Sequence, residues 1–280
     1  MSLDPRLHPF RPDLAHAALA GKVIAERYVK GDLRRVTAAA LPIYRLARGQ
    51  GPMVSEALMG EDFLVLEVTG HWAWGQLASD NYVGYVRAKH LEAIEAAPTH
   101  RVAVPSSLIF SAPDLKSAPL GPVWLNARLT VTGGGGAWSA LAGGGFVFTR
   151  HLAGLDQHAA DFVAVAEQFC NVPYLWGGRT FRGLDCSGLV QTALLAAGRA
   201  CPRDTDMMAA TLGSALPEDD FKSLRRGDLV FWRGHLGIMM DQKRLLHANA
   251  HHLGVAIEPL AGAVARIAAA GSPVTALRRL

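Results

Sequence analysis

No apolar stretch of this 280-residue chain reaches the roughly 18 to 20 uncharged residues that a membrane-crossing helix needs. The alanine-rich tail is interrupted at Arg266 and Gly271. The first twenty residues carry Asp4, Arg6, His8, Arg11 and Asp13 among three prolines, which leaves no apolar core for a signal peptide and makes a cytosolic address the expectation. Cysteine is scarce: Cys170, Cys186 and Cys201 cannot all pair, and a reducing cytosol keeps thiols free. No CxxC pair and no HExxH occurs, so the usual zinc spacings are missing. Basic residues stand singly or in pairs (Arg34-Arg35, Arg225-Arg226, Arg278-Arg279), and the net charge is only +4, which argues against a nucleic-acid surface. The residues call for no cofactor and identify no protein partner.

What is present is a globular composition, 50% hydrophobic and 19% charged, in a chain long enough for two or three domains. Residues 1–30 read as a lead-in, helical in character from Leu14 to Val29. Residues 31–97 and 98–153 read as two small β-barrels, because short β-type runs (Phe63–Val68, Tyr82–Val86, Arg128–Thr132, Gly145–Thr149) are punctuated by glycine and proline. An internal repeat supports two copies: Ala73-Trp74 to Tyr82-Val83 aligns without gaps on Ala137-Trp138 to Phe146-Val147, so Phe146 stands where copy one has Tyr82. The glycine run Gly133–Gly136 lacks the following helix of a phosphate loop and reads as a hairpin turn.

Residues 154–280 change character. Asp156 is placed to cap a helix over 158–170, and a second helix opens at Asp185-Cys186 and stops at Gly198. Strands follow at 228–232, 236–240, 244–248 and 255–260, an α+β layout. Cys186 falls in the first turn of its helix, where unpaired N–H groups favour thiolate and can hold an oxyanion. His235 begins one strand and His247 ends the next, so a hairpin brings two imidazoles together, one a base and the other its orienter. The competing reading, zinc held by Cys186, His235 and His247 with water as fourth ligand, lacks the spacing of known sites. Cys170 reads as core, Cys201 as a loop residue, and Asp228 as a satisfier of turn donors.

These pieces resemble the NlpC-type papain-like cell-wall peptidases. The matching segments are Pro173-Tyr174-Leu-Trp-Gly-Gly178, Asp185-Cys186-Ser187-Gly188-Leu189-Val190, Arg226-Gly227-Asp228-Leu-Val-Phe231, His235-Leu-Gly-Ile238 and Leu246-His247-Ala248, collinear across the region after residue 154. The resemblance implies a papain-like α+β domain after two SH3-like barrels, and a cysteine endopeptidase that cuts the D-γ-glutamyl–diamino acid bond of murein peptides. It implies Cys186 as nucleophile, His235 as base and His247 as the third polar residue. Tyr174 matches the tyrosine near the oxyanion, and Asp185, Ser187, Arg203, Asp204 and Thr205 match substrate-side positions, with threonine standing where serine is expected. A subgroup with tandem barrels cuts free peptides, its first barrel holding the amino terminus. Tyr82 falls on the aromatic position of that contact, with Glu56 as acidic partner and Glu61 as competitor. The expected substrate is L-Ala-γ-D-Glu-diamino acid with a free amino group. Two other readings stay open: a hydrolase or acyltransferase on another amide or ester, and a non-catalytic wall-peptide-binding module.

Overall fold

The computed structural model describes residues 3–280 and divides into two compact units, one ending at Leu155 and the other running from Asp156 to Leu280. In the first unit the described residues of the lead-in form no α-helix. Leu14–His16 and Arg27–Val29 pair as short parallel strands, with a single 3-10 turn at Ala17–Leu19 between them. The expected helix over 14–29 loses because a segment of that length is marginal on propensity alone. Gly21 takes φ +75, and Leu14 gains more by burying completely against Leu66 and Trp74.

Seven strands follow in the order Met53–Leu58, Ala40–Tyr44, Val83–Arg87, Trp72–Leu77, Asp62–Thr69, Asp32–Val36, Leu91–Glu92, each antiparallel to its neighbour. Alternate residues of Val83–Arg87 turn inward, and the core gathers Val36, Leu41, Ile43, Phe63, Leu77, Tyr82 and Val86. Residues 98–155 repeat this pairing strand for strand. Pro119–Trp124, Ser106–Phe110, Phe146–Phe148, Trp138–Leu141 and Val131–Gly135 follow one another in one sheet, with Arg128–Leu129, His100–Val102 and Leu152–Gly154 in another. The glycine run is therefore largely strand: Gly134 pairs with Ser139 and Gly135 with Trp138.

The register corrects the gapless repeat. Trp74 pairs with Tyr85 and Gln76 with Val83; in copy two Trp138 pairs with Phe148 and Ala140 with Phe146. The second turn is one residue shorter, since the N–H of Leu77 bonds to Tyr82 whereas that of Leu141 bonds to Gly145. Phe146 thus corresponds to Val83, and Tyr82 to Gly145. The two copies are tightly joined: a Cβ on Gly60 would lie 1.8 Å from the Arg128 carbonyl oxygen, the Arg128 N–H bonds to the Met59 carbonyl at 2.8 Å, and Leu58 belongs to the core of the second copy.

In the second unit, α1 (Phe162–Glu167) is shorter than expected and its cap is Asp161, not Asp156: the Asp161 carboxylate accepts from the Val163 N–H at 2.8 Å. Beyond Glu167 the N–H groups of Gln168, Phe169 and Cys170 bond three residues back, the tighter 3-10 pattern, and Asn171 ends the run at φ +68. Cys170 accordingly lies in a turn, only partly buried. Helix α2 (Cys186–Ala196) is buried at every position but Leu195, as a central helix must be. Helices α3 (Thr205–Thr211) and α4 (Leu260–Ala269) complete the helical set.

A six-stranded antiparallel sheet runs Ser214–Leu216, Val274–Arg279, Leu229–Trp232, His235–Met239, Arg244–Asn249, Gly254–Pro259. The strand Val274–Arg279, which lies in the stretch read as an alanine-rich tail, inserts inside it. No helix among the described residues is long and apolar enough to cross a membrane.

Candidate active site

Asp185 starts the site. It is the N-cap of α2, accepting from the Gly188 N–H at 2.6 Å, and its second oxygen accepts from the Gly177 N–H at 2.8 Å. The loop Trp176–Gly178 is thereby tied to the helix tip. Gly188 has to be glycine, since a Cβ there would sit 2.1 Å from the Gly178 carbonyl oxygen. Arg203 closes the network from behind. Its Nη1 and Nη2 donate to Asp185 at 3.0 and 2.7 Å, and Nη1 also donates to Ser187 Oγ at 2.7 Å. Arg203 is only 1% exposed, so Asp185, Ser187 and Arg203 form one interior cluster around the helix tip. Asp204 takes the N-cap position of α3.

Cys186, the first residue of α2, is buried. Its Sγ lies 3.9 Å from Thr205 Oγ1 and 4.0 Å from the Gly234 carbonyl, against the start of the strand His235–Met239. Next along that strand, His235 Nε2 lies 2.9 Å from His247 Nδ1, and the His235 ring packs on Trp232 at 5.5 Å between centroids. His247 is fully buried, and its Nε2 is 2.7 Å from Glu258 Oε1. Arg266, on α4, donates to both Glu258 oxygens at 2.6 Å.

Burial governs the charges. It pushes the Cys186 thiol up to about 11, with the Asp185 carboxylate adding to the rise and hydrogen bonds from Thr205 and the Leu236 N–H opposing it. Burial, then His247 and Arg266, draws His235 down to about 3. His247 is lowered mainly by burial, which Glu258 opposes. Arg266 holds Glu258 down at about 2. Burial thus favours the neutral form of both the Cys186 thiol and the His235 imidazole. This corrects the expectation of a thiolate: complete burial and a neighbouring carboxylate outweigh the positive end of α2. The Tyr174 phenol is also raised by burial, then by Cys186 and Asp185, which puts it in the same neighbourhood.

The residues proposed from sequence for the first barrel lie in the other unit. Tyr82 is only 2% exposed and belongs to the core of the seven-stranded sheet. Glu56 is completely buried on Met53–Leu58. Glu61 is committed locally, accepting from the Leu58 N–H and from Ser79 Oγ, each at 2.7 Å. No group of three His, Cys, Asp or Glu among the described residues is arranged to hold a metal. Sequence reading missed Glu258 and Arg266. The available signal was a charged side chain at the inward phase of a strand, two residues beyond Ala256, the partner of His247.

Comparison with known proteins matches residues 171–268 to the NlpC/P60 family. The chain carries an NlpC/P60 domain. Residues 43–91 match the bacterial dipeptidyl-peptidase Sh3 domain, so an SH3 domain precedes the NlpC/P60 domain. A γ-D-glutamyl-L-lysine dipeptidyl-peptidase from Bacillus subtilis is 26% identical over 215 residues, 69% of this chain and 71% of that protein. One of the same name from Bacillus cereus is 25% identical over 239 residues, 74% of this chain and 70% of that protein. The solved structure of an NlpC/P60 family protein from Bacillus cereus superposes with a TM-score of 0.74 at 19% identity, covering 89% of this chain and 99% of that one, a likeness of fold. The NlpC/P60 chain is a peptidase of the cysteine type.

Proposed function

We propose that this peptidase hydrolyses the D-γ-glutamyl–diamino acid bond of free murein peptides, with Cys186, His235 and His247 as its catalytic residues. The observation that carries the reading is Cys186 at the buried tip of α2, its sulfur 4.0 Å from the carbonyl that precedes His235, which in turn meets His247 at 2.9 Å. His235 Nδ1 takes the thiol proton as sulfur attacks the γ-carbonyl. The oxyanion meets N–H groups at the start of α2 and the Tyr174 hydroxyl. His235 then passes the proton to the departing amine of the diamino acid, leaving a thioester. Water, giving its proton to His235, releases the glutamyl carboxylate and restores the thiol. Because burial favours the neutral forms of Cys186 and His235, proton transfer accompanies attack rather than preceding it. The Asp185–Ser187–Arg203 cluster, with Asp204 and Thr205, lines the D-glutamyl subsite.

Substrate choice draws on the names of the two Bacillus relatives, each a γ-D-glutamyl-L-lysine dipeptidyl-peptidase. We assign the amino-terminal contact to the Tyr82 hydroxyl and the Glu56 carboxylate, with Glu61, which accepts from the Leu58 N–H and from Ser79 Oγ, as the competing carboxylate. A charge-assisted bond of this kind is worth roughly 1.5–3 kcal/mol, about one to two orders of magnitude in selectivity. The strand order supports reading residues 98–153 as a second SH3-like barrel.

The test is mass-spectrometric digestion of L-Ala-γ-D-Glu-diaminopimelate beside its N-acetylated form, with Cys186→Ala as control. The expected result is L-Ala-D-Glu from the free peptide alone and a loss of at least about three orders of magnitude in the variant. Cleavage of both forms discards the amino-terminal contact. Equal turnover by Cys186→Ala discards the mechanism, and cleavage of an acyl ester or another amide in place of the peptide moves the assignment to that chemistry.

A further inference from the structure

An ionised carboxylate can only accept hydrogen bonds. Glu258 is gripped through both oxygens by Arg266, which keeps it ionised, and Oε1 lies 2.7 Å from His247 Nε2. That nitrogen must therefore carry the hydrogen. His247, buried and neutral, then has its lone pair on Nδ1, and at 2.9 Å it accepts the hydrogen of His235 Nε2. His235 is left with its lone pair on Nδ1, the ring nitrogen not engaged by His247. If His247 carried its hydrogen on Nδ1 instead, His235 Nε2 would have to accept, and its hydrogen would move to Nδ1. In that tautomer the ring cannot take a proton from the thiol.

We propose that Glu258, clamped by Arg266, is a positioning residue that sets the tautomer of His235 through His247, and so decides whether the ring can act as a base. The inference rests on reading His235 as the base for Cys186. It assigns a task to two residues outside the Cys–His–His set. The carboxylate touches neither the thiol nor the substrate and acts through two imidazoles.

Glu258→Gln is the discriminating substitution, because it keeps size and shape. Arg266 donates to whichever side-chain atom accepts, so it holds the amide oxygen and turns the NH2 group toward His247. His247 Nε2 must then accept, and both tautomers invert. Adding Arg266→Met frees the amide to rotate and offer its oxygen to His247, which restores the original pair.

The experiment uses the full chain labelled with 15N in its histidine rings. Long-range 1H–15N correlation spectra give the tautomers, and the rate of iodoacetamide alkylation of Cys186 gives reactivity without any peptide substrate. Expected are Nε2–H tautomers at His235 and His247 in the unmodified protein and Nδ1–H tautomers in Glu258→Gln. Alkylation should slow at least about tenfold, kcat should fall about a hundredfold or more at little-changed KM, and the double variant should recover both tautomer and rate. An Nδ1–H tautomer at His235 in the unmodified protein overturns the proposal, and that spectrum decides even if Glu258→Gln fails to fold. Unchanged tautomers in Glu258→Gln, or inverted ones with unchanged alkylation, overturn it too. Failure of the murein-peptide reading would appear instead as absent cleavage by a protein whose tautomers and alkylation behave as expected.

Discussion

Replacing Arg203 by methionine removes the cation from an interior ion pair and leaves Asp185 to face the protein interior alone. The hydrogen bonds that disappear include two to the carboxylate and one to Ser187 Oγ, at a residue that is 1% exposed. Breaking a buried pair from one side costs about 3–5 kcal/mol, because the surviving charge keeps its desolvation penalty and loses its partner. In urea, with slopes of about 1–3 kcal/mol per molar, that is a shift of the order of 2 M in the midpoint of the second unit. Hydrogen–deuterium exchange read on α2 peptides isolates that unit from the β-rich one, and protection there should fall by about two to four orders of magnitude. Adding Asp185→Asn removes the stranded charge while an amide oxygen still caps the Gly188 N–H. The double variant should then be at least about 1 kcal/mol more stable than the sum of the two single changes predicts. A loss below about 1 kcal/mol in Arg203→Met, accompanied by a raised KM, would refute the structural account and make Arg203 a substrate contact first.

Other outcomes follow from the same geometry. With the Cys186 thiol raised to about 11, its thiolate fraction grows throughout the range from pH 6 to 10. Alkylation should accelerate steadily over that range, and a plateau already reached near pH 6 would show an ion pair instead. Gly188→Ala, with its Cβ 2.1 Å from a backbone oxygen, should cost about 1–3 kcal/mol and lower activity by displacing the helix tip. Gly262→Ala, in an open position of α4, should gain about 0.5–1 kcal/mol, and thermal melts of the two variants moving in the same direction would contradict this packing account. Tyr82→Phe should raise KM for free-amine peptides about tenfold while leaving N-acetylated ones unaffected, and an unchanged preference detaches Tyr82 from recognition.

The local placement of Cys186, His235 and His247 was legible because each stands in a short segment whose neighbours dictate its local structure: an aspartate cap before the thiol, and alternating strands around the histidines. Glu258 and Arg266 were not. Their meeting depends on a strand edge and on an arginine eight residues further on, on α4, and no local pattern encodes that adjacency. The same holds for Val274–Arg279, whose place between Ser214–Leu216 and Leu229–Trp232 is decided by tertiary pairing. Near the start, helical spacing misled because burial of Leu14 outweighed propensity. The thiolate expectation failed for a related reason: a helix terminus can be read from a capping motif, whereas the depth at which the sulfur lies cannot. The repeat was visible through Trp74 and Trp138, but a turn shortened by one residue is silent in a gapless alignment.

The contact between the two β-units bears on modularity. A cut at the sequence boundary between them would take Leu58 from the core in which it is buried and bare the strip around Gly60, where Arg128 passes too close for a methyl group. Excised alone, neither half would keep a sealed interior, so the two β-rich halves are not interchangeable beads on a string. Any reshuffling that moved the first half would have to carry the second with it. The workable joint for building chimeras lies after Leu155.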